Sequence, residues 1–196
     1  KVVQTRAVEF ANKYKVPVRV LSSFDDGNGT LISLKDESME NALVSGIAFQ
    51  KDQVKFTLHS VGDTPGTAFK ILGPISDAEI EVDVIVQNVS IDDKTDFTFT
   101  VSNEDKESVE KILTDLKTEV DYKEVIINSD IAKVSLVGAG MRSQAGVASK
   151  AFKALSENDV NIQIICTSEI KITMVIDEAL VDKAVNVLHE EFELEK

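Results

Sequence analysis

Val54-Lys55-Phe56-Thr57-Leu58 alternates as a half-buried strand does, and Val134-Ser135-Leu136-Val137, 80 residues on, opens the same pattern a second time. After the first stretch Asp63-Thr64-Pro65-Gly66 reads as a turn, and Thr67 to Ser76 carries Ala68, Ile71, Leu72 and Ile75 at helical spacing. After the second, Gly138 to Gly146 is the loop, and Val147, Ala151, Phe152 and Leu155 line the helix face. A strand follows in each copy, Val82 to Val86 and Ile162 to Cys166, so Gly66 and Gly146 hold the same place. Each copy continues with an alternating strand, Asp96 to Val101 or Lys171 to Ile176, and an amphipathic helix, Lys106 to Lys117 or Glu178 to Phe192.

The order strand, helix, strand, strand, helix is closed in the first copy by a strand at Glu124 to Ile127. This gives the α+β class: two ferredoxin-like βαββαβ units, antiparallel sheets with their helices on one face. The second copy ends in Glu193 to Lys196, too short and too charged for a central strand. The apolar segment Leu43 to Phe49 is therefore expected to cross over and complete the second sheet, interlocking the units. The domains on this reading are 50–127 for the first unit and 43–49 plus 130–196 for the second. Residues 1–38, with a short helix at Thr5 to Tyr14 and strands at Val16 to Leu21 and Thr30 to Leu34, read as the end of a larger upstream domain and its linker.

A net charge of −13 would repel phosphate backbones and anionic lipid, so nucleic acid and membrane are not expected as partners. No apolar run approaches the roughly 20 residues that span a bilayer, and Lys1 to Phe10 lacks the apolar stretch of a signal peptide, which points to the cytoplasm. The single cysteine, Cys166, has no disulfide partner and reads as a core thiol. His59 and His189 stand apart from any C-x-x-C or H-x-x-x-H spacing, so neither a metal nor a catalytic histidine is expected. The glycines of Gly138-Ala139-Gly140-Met141-Arg142-Ser143 lack the third glycine of a dinucleotide fingerprint, and no G-x-x-x-x-G-K-[ST] loop occurs, so no cofactor is expected.

The loop from Val61 to Ala68 joins a strand to a helix start. Its unpaired N–H groups suit a carboxylate, and Asp63 suits an ammonium, as a free amino acid would need; a plain Asp cap without ligand is the alternative. The polar tracts Gln87-Asn88-Val89-Ser90 and Thr167-Ser168-Glu169 end strands beside these helices and suit the same ligand, or ordinary turns.

Ser60-Val61-Gly62-Asp63-Thr64-Pro65-Gly66, Val86-Gln87-Asn88-Val89-Ser90, Lys133 to Met141 and Thr167-Ser168-Glu169-Ile170 together resemble the regulatory part of aspartate kinase, a pair of ACT domains. The resemblance runs through Val185, Leu188, His189, Phe192 and Leu194, and Lys1 to Glu9 resembles the last stretch of the kinase domain. It implies feedback control of aspartate phosphorylation by L-threonine, L-lysine or both. The implied partners are a second copy, forming a homodimer through the ACT domains, and the kinase catalytic domain or alpha subunit. The family's Lys-Phe-Gly-Gly signature is absent, so the isolated chain is not expected to be an enzyme. The implied effector contacts are Asp63, Thr64, Pro65, Gly66, Thr67 and Ala68; Glu81, Val82, Asp83 and Gln87; Val147 and Ala148; Asn161 and Ile162; and Ser168 with Glu169. Gln144-Ala145 departs from the family's frequent His-Pro. The competing reading is an assembly scaffold for the kinase that binds no effector itself.

Overall fold

The computed structural model describes residues 3–32, 44–88, 92–138 and 146–194. It divides into two compact units, Lys1–Ala42 and Leu43–Lys196. In the first, helix α1 (Thr5–Lys13) precedes strands β1 (Val18–Val20) and β2 (Thr30–Ile32), paired antiparallel with Val18 opposite Ile32.

The second unit holds β3 (Gly46–Gly62), α2 (Thr67–Asp77), β4 (Ile85–Gln87), β5 (Lys94–Ser102), α3 (Lys106–Leu116), β6 (Glu124–Val137), α4 (Val147–Glu157), β7 (Ile164–Thr167), β8 (Lys171–Asp177) and α5 (Val181–Glu191). One six-stranded antiparallel sheet runs β4-β5-β3-β6-β8-β7. The α+β class and the interlocked ferredoxin-like halves are both present. Two separate sheets are not: the strands at Glu124 to Ile127 and Val134 to Val137 are parts of β6, whose residues 128–133 continue the pairing that a sequence pattern treats as a break.

Both long strands serve both halves. Lys55 to His59 pairs with Glu124 to Asn128 beside β5, whereas Gly46 to Gln50 pairs with Lys133 to Val137 beside β8. Register shifts between Gln50 and Lys55, with Asp52 left-handed at φ 58°, mark the handover. Leu43 lies outside the described residues.

Alternation along these strands sends one set of side chains into two cores. Val54, Phe56 and Leu58 join Phe97, Phe99 and Val101 under α2 and α3, where the Phe56 and Phe99 rings stack at 5.5 Å. Ala132, Val134 and Leu136 join Ile172, Met174 and Ile176 under α4 and α5. The intervening residues, Lys55, Thr57, Thr98, Lys133, Ser135 and Thr173, point to the other face, with Thr57 bonded to Thr98 at 3.0 Å and Ser135 to Thr173 at 2.9 Å.

Some boundaries differ from the periodicity. The strand expected at Val82 to Val86 is Ile85–Gln87, because Glu81 to Val84 meets β5 through isolated bonds, Asp83 N–H to Thr100 O and Thr100 N–H to Val84 O. The helix expected from Glu178 begins as a 3-10 turn, with the Asp177 carboxylate accepting from the Ala179 N–H, and becomes α5 at Val181. Cys166 is exposed and not a core thiol: among the described residues β7 is an edge strand paired only to β8. No helix among the described residues is long and apolar enough to cross a membrane.

Candidate functional site

Gly66 and Gly146 adopt left-handed φ values of 94° and 108° immediately before α2 and α4, a conformation only glycine enters without strain. Among the described residues no side chain caps either helix. Their carbonyls accept from the Lys70 and Lys150 N–H groups at 2.9 and 2.8 Å, so the two halves start their first helices alike. Residues 139–145, which lead into the second start, lie outside the described residues, as do Val89 and Ser90.

Around the first helix start, Asp63, Thr64, Pro65 and Gly66 are exposed while Thr67 is buried. The Thr67 hydroxyl bonds to the Gly62 carbonyl at 3.0 Å and lies 3.1 Å from the Thr64 hydroxyl, which pins the loop. Ala68 packs on the first core. Gln87 Nε2 donates to Asp63 Oδ1 at 3.4 Å, joining two of the expected site residues. Around the second, Val147 is buried and Ala148 packs beside it. Gly138 N–H donates to Ile170 O, and Ser168 N–H to Lys171 O, which sets the turn holding Ser168 and Glu169 beside Gly138 at the end of β6.

The remaining residues lie just ahead of the sheet's two outer strands, β4 and β7. Val82 packs on the first core, with Glu81 and Asp83 exposed on either side. Asn161 and Ile162 line a cleft of about 430 Å³ with Phe152, Ser156, Asp159 and Val160. Because α2 starts past Gly62 and α4 past Val137, which pairs with Gly46, the two helix starts stand at opposite ends of a 17-residue strand, about 50 Å apart along it.

Three residues with roles here were not singled out by sequence. Lys133 sends its ammonium to the Asp83 carboxylate with its own side chain only 5% exposed. Lys55 Nζ donates to Gln163 Oε1 at 2.6 Å, and burial lowers its pKa below the usual lysine value. The signal at Lys133 was the one lysine of β6, set within a largely apolar stretch, Ile131 to Val137. A second depression, about 110 Å³, is lined by Ala48, Phe49, Gln50, Asp83, Lys133, Ser135 and Lys171.

His59 Nδ1 lies 2.5 Å from Asp96 Oδ1, whose oxygen also accepts from the Ser60 N–H. Among the described residues no group of three His, Cys, Asp or Glu side chains could hold a metal ion.

ACT-domain models match residues 58–121 and 134–192. The aspartate kinase of Pseudomonas fluorescens (strain SBW25) is 57% identical over 196 residues, covering 100% of this chain and 48% of that protein. The chain thus spans about half the length of the curated relatives it matches, and their catalytic domain is not part of these residues. The crystal structure of the regulatory subunit of aspartate kinase from Thermus thermophilus, in ligand-free form, is 32% identical with a TM-score of 0.72, covering 76% of this chain and 99% of that one. Aspartokinase III of E. coli, in complex with lysine and aspartate (T-state), is 25% identical with a TM-score of 0.72 over 98% of this chain and 42% of that one. Two ACT domains, and near-complete coverage of a solved regulatory subunit, establish that this chain belongs to the aspartate kinase family and is its regulatory region.

Proposed function

We propose that the chain is the module through which aspartate kinase responds to the end-product amino acids threonine, lysine or both, and passes feedback inhibition to the catalytic domain. The observation that carries this reading is the repeated glycine turn: at Gly66 and at Gly146 a helix starts with no side-chain cap among the described residues, leaving N–H groups for a carboxylate. Asp63, held by Gln87, stands beside the first start with an oxygen for an α-ammonium. Thr64, Pro65, Thr67 and Ala68 shape the loop, and Glu81, Val82, Asp83, Val147, Ala148, Asn161, Ile162, Ser168 and Glu169 complete the contacts. The lysine-bound E. coli relative supports an amino-acid ligand.

Within one chain the two helix starts stand at opposite ends of β3. A site between a first and a second ACT domain therefore calls for two chains, a homodimer. The sheet's outer strands suit it: repeat-equivalent Ile85 on β4 and Ile165 on β7 are 48% and 47% exposed, on edges unpaired among the described residues. Inhibition follows if effector binds one dimer arrangement more tightly than another and that arrangement holds the kinase inactive.

Those same edges favour the second reading, an assembly scaffold joining kinase subunits without effector. Calorimetric titration of L-threonine, then L-lysine, into the purified chain separates the two, with Asp63→Ala as control. Saturable binding lost in the variant supports the sensor; no heat from either amino acid supports the scaffold.

A further inference from the structure

We propose that Lys133 sets which amino acid the module answers to, by occupying the Asp83 carboxylate so that it is withheld from a ligand's side-chain ammonium. The inference rests on the reading of Asp83 as an effector contact. An acid in that position would ordinarily suit lysine over threonine, since a second ammonium needs a second anion. Here the anion already has one. The Lys133 side chain is 5% exposed, whereas Asp83 is 45% exposed. The lysine, not the aspartate, is the partner that cannot turn to water, because a buried ammonium has to stay paired. A free lysine would have to displace a cation tethered in place by β6, whose effective concentration exceeds that of a dissolved ligand.

The second half carries the same device with a neutral acceptor. Gln163 stands 80 residues after Asp83 in the repeat, and Lys55, from β3, donates to it at 2.6 Å. Each half thus fills this position of the other with a lysine from a shared strand, so neither presents a free acid there. Loss of the Lys133 charge releases the Asp83 carboxylate, half of it in water, to receive a ligand ammonium.

The test is calorimetry on the 196-residue chain carrying Lys133→Met, Lys133→Gln or Lys133→Arg, titrated with L-lysine and with L-threonine, each variant first checked by thermal melting. The expected result is a ratio of lysine to threonine affinity that rises roughly tenfold in Met and Gln variants, the worth of one charge-assisted hydrogen bond. Lys133→Arg keeps the original ratio, and adding Asp83→Asn to Lys133→Met abolishes the gain. A ratio unmoved in both neutral variants, or moved equally by arginine, overturns the inference while leaving the sensor intact. An unsubstituted chain that binds neither amino acid overturns the proposed function and this inference with it.

Discussion

Glu79 and Asp159, 80 residues apart, both end the first helix of their half in the left-handed region, at φ 59° and 55°. Each sits just past a helix, where the Ile80 and Val160 N–H groups return to the Ile75 and Leu155 carbonyls. Glycine enters this conformation without strain, so Glu79→Gly and Asp159→Gly should each stabilise the fold by about 1 kcal/mol. Urea midpoints of the single and double variants check it, and an unchanged or lowered midpoint counts against it.

The converse holds at the helix starts. Among the described residues, an added Cβ at Gly66 or Gly146 would meet no atom within 4 Å beyond its chain neighbours, so the backbone is what opposes Gly66→Ala and Gly146→Ala. Each should cost about 1–2 kcal/mol, the price of left-handed φ for an L-residue. Gly66→Ala should also weaken amino-acid binding by more than its stability loss accounts for, measured by titration well below the variant's melting temperature.

Because β3 and β6 run through both cores, unfolding of residues 44–194 should be one transition. Phe56→Ala in the first core and Leu136→Ala in the second should each lower that single transition, by about 3–5 and 2–5 kcal/mol. Far-ultraviolet circular dichroism and urea gradients would expose two separable steps if the halves melted independently.

Tyr122 donates its phenol to the Leu113 carbonyl at 2.7 Å, and burial raises its pKa above the usual tyrosine value. The folded state therefore keeps a proton that the unfolded state releases near pH 10. Between those two pKa values the unfolded chain binds fewer protons, so stability falls as pH rises. Tyr122→Phe should lose about 1 kcal/mol at neutral pH and show a shallower alkaline decline. Denaturation at pH 7 and across pH 9.5 to 11 measures both.

Much of this fold was legible because the repeat carries its own register. Val54 to Leu58 and Val134 to Val137 announce alternation, and Gly66 and Gly146 mark equivalent turns. What period alone could not show was continuity. Asn128 to Lys133 is polar and apolar by turns with a register shift opposite it, so a single strand reads as an ending and a beginning. Edge position escaped too: Ile162 to Cys166 is as apolar as a buried strand, yet among the described residues it has a neighbour on only one side. At the candidate site, local pattern located Asp63, Gln87 and Ser168. The Asp83–Lys133 and Lys55–Gln163 pairs span 50 and 108 positions, and nothing local in a sequence reports such a meeting.

The shared strands also bear on how such a chain can be inherited. Each half takes a strand from the other, so a recombination joint placed between Gln50 and Lys133 would give both products a sheet with a missing member. The duplication has become indivisible, and its two copies can only drift together.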